Sequence, residues 1–352
     1  MANDNNHKSP YNANGNSNSK NNYNGSRQNN KKNNYNNKNN NKQQNNALTN
    51  ETAESSKANI GWLFYRDYFR GIEGKNANDL KEHFLQMNKK IEGSRYDSSN
   101  SSVYKIFSNR FNVTNLKTFD LEVCPPGLLI GSGMLHGVPG DGDYQLGLQF
   151  DHTSGLPIIP GSSIKGLLRS MFPKLNKKKD DNGKIIYEHD NNRINYIIDK
   201  LNEITHEKIE EQIKKQIKKI DDAPHTIELL TQRLFKTDTE KNEGDNNGVK
   251  YPIFMDAIIV GGDKYNKILG SDYITPHHDA FKDPVPIKFL KVLPGVKFRF
   301  FFSIPSEIKI GELKLNQDNI RELFKLILQD VGVGAKTNVG YGHLKEIEQQ
   351  QN

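Results

Sequence analysis

The stretch that most restricts what this chain can fold into lies near its end: Gly332-Val333-Gly334-Ala335-Lys336-Thr337-Asn338-Val339-Gly340-Tyr341-Gly342. Four glycines in eleven residues let the backbone take positive φ and pass close to another segment or a ligand, while Lys336 and Thr337 add a cation and a hydroxyl. That combination suits a phosphate. A nucleotide-binding P-loop, however, needs Gly-Lys-Ser/Thr in direct succession, and Ala335 separates Gly334 from Lys336. Ten residues follow Gly342, too few for the helix and strands that carry the rest of a nucleotide-hydrolysis site. The expectation is a basic, glycine-rich loop closing a domain.

At 352 residues the chain is long enough for one large or two ordinary domains. Residues 1–46 are close to half Asn with almost no aliphatic side chain, so burial cannot offset their ordering entropy. A disordered Asn/Lys-rich tail is therefore expected over residues 1–50. That tail carries +6 of the net +7 and leaves a nearly neutral body of 42 basic and 41 acidic residues. The basic balance describes the tail, and genome composition explains it as readily as function does. A single cysteine, Cys124, excludes an internal disulfide framework and a cysteine zinc site. No apolar run approaches the ~20 residues of a membrane span, and the N-terminus lacks a signal-peptide core. A soluble, cytoplasmic protein without a membrane partner is expected.

Order should begin near Asn59, where Ile60 to Phe69 holds the only Trp and a dense aromatic cluster, followed by a helix carrying Leu80, Phe84, Leu85 and Met87 and broken near Gly93. Phe111, Val113, Phe119, Leu121 and Val123 alternate as in strands, Leu128 to Ile130 is extended, and Tyr144 to Phe150 alternates again. At Gly161 the period becomes helical: Ser162 and Ser163 suit an N-cap, and Ile164, Leu167, Leu168, Met171 and Phe172 form a stripe ended by Pro173. Residues 174–250 read as a charged helical insertion, with faces at Ile194 to Leu201, Ile209 to Ile220 and Thr226 to Phe235, flanked by loops at 177–181 and 237–248. Strands return at Ile253 to Val260 and Ile287 to Leu293, the latter joined through Pro294-Gly295 to Val296-Ser303 as a hairpin. Ile320, Leu323, Phe324, Ile327 and Leu328 mark a last helix capped by Gly332, and Tyr341 to Ile347 a last strand. Without the insertion the order is βαββαβ, an α+β fold of ferredoxin-like or RRM-like type. One domain over residues 59–352 is expected, interrupted at 174–250.

Two segments combine cations with backbone suited to anions. In Pro160-Gly161-Ser162-Ser163-Ile164-Lys165-Gly166-Leu167-Leu168-Arg169 a helix N-terminus frees N–H groups, and Lys165 and Arg169 share one face. Taken alone this also fits a well-capped surface helix. Paired with the glycine-rich loop beside one sheet, it fits a site that tracks an RNA backbone. Thr275-Pro276-His277-His278-Asp279, with Asp272 and Asp283, has the residue types of a metal or acid–base site, but no His at helical spacing supplies a second ligand pair. No metal or catalytic role is expected there. His136 and His152 read as polar loop residues, and His189, His206 and His225 as solvated.

Three separated segments together resemble one family. PIIPGSSIKGLLRS, then FMDAIIV with DYITPHHDAF and PVPIKFLKVLPG, and finally GVGAKTNVGYG look like the RAMP superfamily of CRISPR proteins. Within it they resemble the head subunit of the Cmr (type III-B) effector complexes, the sixth of six proteins. The likeness covers roughly Leu121 to Asp180 and Phe254 to Leu344, and His278-Asp279-Ala280-Phe281 stands where the family often has more aromatics. The resemblance implies an RRM-like core with no nucleotide or metal cofactor. It implies a place at the end of a filament of subunits, near the 3′ part of the guide RNA (crRNA). The neighbours would be the backbone RAMP subunit, the small helical subunit and the large subunit, with target RNA reached through the guide. Target cleavage in such complexes is attributed to the backbone subunit, so the chain is expected not to be an enzyme. Carried over by residue, Ser162, Ser163, Lys165 and Arg169 would lie against the guide, as would Gly334, Lys336, Thr337 and Tyr341. A second reading is a metal-independent endoribonuclease of the same superfamily that cuts precursor guide RNA, using His136, His152 or His277 with Lys165. A third is a pure assembly protein whose glycines serve subunit packing.

Overall fold

The computed structural model describes residues 59–97, 116–134, 136–137, 141–174, 176–179, 185–188, 190–204, 223–235, 251–275, 286–311 and 313–347. These belong to the unit Ala47–Asn352. The expected tail, the alternation at Phe111 and Val113, the helix at Ile209 to Ile220, the loop at 237–248 and the His277 to Asp283 loop lie outside the described residues.

The N-terminal part is helical because its apolar side chains recur at helical spacing and Asn residues cap its helices. Asn59 accepts from the Trp62 N–H at 2.8 Å and starts α1, Ile60–Tyr65. After a 3-10 turn at Asp67–Phe69, Asn76 caps α2, Ala77–Glu92. Phe64, Tyr68 and Phe84 are fully buried, with the Tyr68 and Phe84 rings stacked at 5.2 Å. Leu85, expected in the apolar stripe, is an exposed residue of the same helix.

The principal sheet is six-stranded and antiparallel. β1 is Leu116–Val123, β2 Ile158–Ile159, β5 Ile253–Phe254, β6 Ala257–Gly261, β9 Lys297–Ser303 and β12 Leu344–Glu346. Their order is β12-β1-β9-β6-β2, with β5 also pairing β9. The β1–β9 register sets Leu121 opposite Phe298 and Phe119 opposite Phe300. Between these strands Arg299 donates two hydrogen bonds to Asp120, each 2.7 Å.

Helix α3, Gly161–Met171, follows β2, and α6, Gln317–Val331, precedes β12. Asn316 caps α6 by accepting from the Asp318 and Asn319 N–H groups, and Asn319 accepts from the Asn316 N–H in return. Ile320, Leu323, Phe324, Ile327 and Leu328 of α6 are buried together with Phe298, Phe300 and Phe302 of β9. Each such side chain contributes about 1.5–3 kcal/mol on burial. Gly332 ends the helix with φ 68°, and its N–H returns to the Leu328 carbonyl.

Two helices within residues 174–250, α4 at Asn191–Ile204 and α5 at Ala223–Phe235, turn Ile194, Ile197, Leu201, Ile227 and Leu230 into the same core. Tyr196 and Lys200 of α4 both bond Asp330 of α6, at 2.8 and 2.9 Å. Among the described residues no helix is long and apolar enough to cross a membrane.

Several local expectations are corrected. Of the loop expected at 177–181, residues 177–179 lie in a strand: β3, Asn176–Lys179, pairs with β4, Ile185–Glu188. Ile253 to Val260 is two strands, parted at Met255-Asp256. Tyr144 to Phe150 makes single bridges from Leu146 to Phe289 and from Phe150 to Pro157 in place of a strand. The Pro294-Gly295 turn does not close a hairpin. β8, Ile287–Val292, pairs with β7, Leu269–Ile274, while β9 joins the large sheet. The turn hands the chain between sheets because Leu293 N–H bonds Ile268 O and Gly295 N–H bonds Val123 O. A further hairpin, β10 at Glu307–Ile310 and β11 at Leu313–Asn316, precedes α6.

Candidate nucleic-acid interface

The glycine-rich loop leaves α6 at Gly332 and is held to residues 124–129 through the backbone. Ala335 N–H donates to Leu129 O and Gly342 N–H to Gly127 O, each at 2.8 Å, and Cys124 N–H donates to His343 O at 2.9 Å. Val333 N–H closes the loop on Gly342 O at 2.9 Å. Such an approach leaves no room for side chains: a Cβ on Gly342 would lie 1.8 Å from Val333 O, and Gly342 has φ 77°. Gly332, Gly334 and Gly342 serve close contact with the protein's own backbone.

What the loop exposes is Gly334, Lys336, Asn338 and Val339, with Thr337 half-buried. Lys336 takes φ 60° and ψ 34°, a left-handed conformation that costs a non-glycine residue about 1–2 kcal/mol. Its carbonyl holds the turn in place by accepting from Val339 N–H and Tyr341 N–H, at 3.1 and 3.3 Å.

Beneath the loop, Tyr341 is only 6% exposed. Its ring meets Phe289 edge-on at 5.9 Å. Together with Leu129 they form a satellite core, with Leu146, Ile274 and Ala335 packed around it. The Tyr341 hydroxyl donates to Asp272 Oδ2 at 2.7 Å, and Lys291 Nζ donates to the same oxygen at 2.5 Å. Asp272 Oδ1 accepts from Tyr273 N–H at 2.8 Å. Burial pushes the Asp272 carboxyl up, yet these hydrogen bonds outweigh it and hold the group below its usual range. Burial, then the bond to Asp272, pushes the Tyr341 hydroxyl up.

In the second segment Pro160 occupies the N-cap and Gly161 the first helical position, so Ser162 and Ser163 lie inside the first turn, both exposed. The Gly161 N–H already has an anion: it donates to Asp256 Oδ1 at 2.7 Å. Asp256 is placed for this by the break between β5 and β6, where a Cβ on Gly161 would sit 2.3 Å from Phe254 O. Lys165 Nζ lies over the Phe254 ring and Arg169 over the Phe235 ring, each at 5.9 Å. Arg169 is exposed and Lys165 half-buried.

The two segments are joined by a ribbon of backbone. Ala335 bonds Leu129, Gln149 N–H donates to Ile130 O, and Ile158 N–H donates to Gln149 O. Three backbone hydrogen bonds thus link the loop to the strand leading into α3. Asp256 and Lys291 also belong to this surface and escaped sequence reading, and Asp272, noted there only beside the Thr275 to Asp279 cluster, is paired instead with Tyr341: Tyr341 and Asp272 stand 69 residues apart, Gly161 and Asp256 95. No local pattern reports such a pairing.

The histidines divide. His136 is buried, its ring stacked on Phe64 at 3.6 Å, with Nε2 2.7 Å from Phe64 O and Nδ1 3.0 Å from Tyr144 O. Burial pushes its pKa down, and the two carbonyls offset this in part. Both ring nitrogens are committed to backbone inside the core, which keeps them from any RNA. His152 is exposed in a turn, and its carbonyl accepts from the Asn59 side chain at 3.1 Å.

Residues 120–345 match the model of the RAMP superfamily. A relative, the CRISPR system Cmr subunit Cmr6 of Pyrococcus furiosus, is 26% identical over 235 residues, which is 61% of this chain and 65% of the relative. The chain thus spans a little under two thirds of that relative's length. Among solved structures, one chain of the cryo-EM structure of the type III-B Cmr-beta bound to cognate target RNA aligns with 16% identity and a TM-score of 0.49, over 86% of this chain and 97% of that one. The crystal structure of Cmr6 from Pyrococcus furiosus aligns with 23% identity and a TM-score of 0.34, over 66% of this chain and 98% of that one.

Proposed function

This chain belongs to the RAMP superfamily, and on that premise we propose that it is a non-catalytic, RNA-binding subunit of a type III-B CRISPR effector assembly. The likeness to the sixth Cmr protein supports the assembly. The observation that carries RNA binding is Lys336, an exposed cation held in a left-handed turn on a loop fixed by backbone hydrogen bonds. A phosphate-tracking site needs a cation on a rigid support and no base-specific partner. Lys165 and Arg169, seated on aromatic rings, supply the second arm, and with the Asp256 carboxylate at the Gly161 N–H their side chains carry the attraction there.

β1, α3, β6, β9, α6 and β12 form a ferredoxin-like βαββαβ core over residues 59–352, and the order β12-β1-β9-β6 supports this. Residues 174–250 are an insertion whose helices brace α6. The protein caps the subunit filament near the 3′ part of the guide, beside the backbone, small and large subunits, in the cytoplasm.

The test is to purify the assembly with the wild-type chain and with Lys165→Ala plus Lys336→Ala. Guide RNA occupancy should fall, and RNA affinity should lose salt dependence by about 0.7 log units per log unit of salt for each phosphate contact removed. Unchanged occupancy, subunit ratio and salt slope would refute the site. Incubating the protein with repeat-containing RNA in EDTA should leave the RNA intact; specific cleavage would make it an endoribonuclease.

A further inference from the structure

The carboxylate at the foot of the glycine-rich loop has the wrong sign for a surface that attracts phosphates. Asp272 reaches the loop from β7, accepting from the Tyr341 hydroxyl and from Lys291 Nζ through one oxygen, while its other oxygen is fixed by the Tyr273 N–H. Tyr341 in turn bonds Lys336 O through its own N–H, so Asp272 stands two links from the exposed cation. Lys291 lies 5.7 Å from the Tyr341 ring centre, which makes the three side chains one cluster. An acid here lowers phosphate affinity through its charge, and the geometry gives it an opposing role. We propose that Asp272 is a positioning residue for RNA binding: it ties the β7–β8 hairpin to the loop through Tyr341 and fixes the left-handed turn that presents Lys336. This rests on the RNA-binding reading above.

The sign of the effect separates the two roles. If only charge counts, removing the carboxylate tightens RNA binding. If Asp272 positions the loop, removing it weakens binding, as does Tyr341→Phe, which changes no charge. The experiment measures binding of a fluorescein-labelled single-stranded RNA to the full chain by anisotropy across a salt series. The proteins are wild type, Asp272→Ala, Tyr341→Phe and Lys336→Ala.

Asp272→Ala and Tyr341→Phe should each weaken binding about two- to tenfold, the range of a single hydrogen bond. Both should flatten the salt slope toward that of Lys336→Ala. A change confined to stability would reduce the active fraction and leave the slope of the folded molecules unchanged. If Asp272→Ala fails to fold, Tyr341→Phe carries the test. Wild-type affinity and slope in Tyr341→Phe, or tighter binding by Asp272→Ala, with Lys336→Ala impaired, overturns the role of Asp272 and leaves the RNA site standing. An unimpaired Lys336→Ala overturns both.

Discussion

Gly334 passes so close to Leu129 that a Cβ on it would lie 2.1 Å from the Leu129 carbonyl oxygen. The neighbouring Ala335 N–H makes its hydrogen bond to that same oxygen. With φ 87° at Gly334, Gly334→Ala combines backbone strain with a steric clash, and should destabilise the protein by about 2–4 kcal/mol. A lowered melting temperature together with weakened RNA binding is expected. An unchanged melting curve would show that the loop does not need this contact.

Gly166 is the opposite case. It lies on an exposed helical position of α3, and a Cβ there meets nothing within 4 Å. Gly166→Ala should therefore stabilise the protein by about 0.5–1 kcal/mol, measured by urea denaturation.

His136 joins residues 59–97 to the body, since one ring nitrogen faces Phe64 O and the other Tyr144 O. His136→Ala removes the imidazole that sits between these two carbonyls and is stacked on Phe64, at a cost of about 2–4 kcal/mol. Limited proteolysis should find new cleavage within residues 59–97. Resistance equal to wild type would mean that other contacts suffice.

Acid should loosen the loop. The folded pKa of Asp272 lies below its unfolded value of 3.8, so the unfolded chain takes up this proton first as pH falls. Its contribution to stability is fully present above that value and disappears as pH drops through the lower, folded pKa. Denaturation of wild type and Asp272→Asn should show a gap at neutral pH that narrows below pH 3.8. A gap independent of pH would mean the charge is not involved.

The elements that could be read from sequence are those whose signal is local. The α6 stripe from Ile320 to Leu328, its glycine cap and the alternation at Leu121 and Val123 each reflect a face turned to the core. The break at Met255-Asp256 is different, because it exists to bring Asp256 to Gly161, and nothing near either residue reports the other. Pro294-Gly295 was legible as a turn but not as a transfer between sheets, since its partners, Val123 and Ile268, lie elsewhere in the chain. Of the candidate site, the cations and glycines could be found by type. That Tyr341 lies beneath the loop and not on it depended on Asp272 and Phe289, which become neighbours only in the folded chain.

The loop's attachment through main-chain atoms has a practical consequence for labelling. Asn338 and Val339 form its exposed tip, and neither side chain takes part in the backbone bonds that seat it. The single cysteine, Cys124, is half-buried, and burial pushes its thiol up, so little of it is the reactive thiolate at neutral pH. A cysteine placed at Asn338 will therefore take a fluorophore selectively, giving an optical reporter at the tip while the stem beneath keeps its native chemistry.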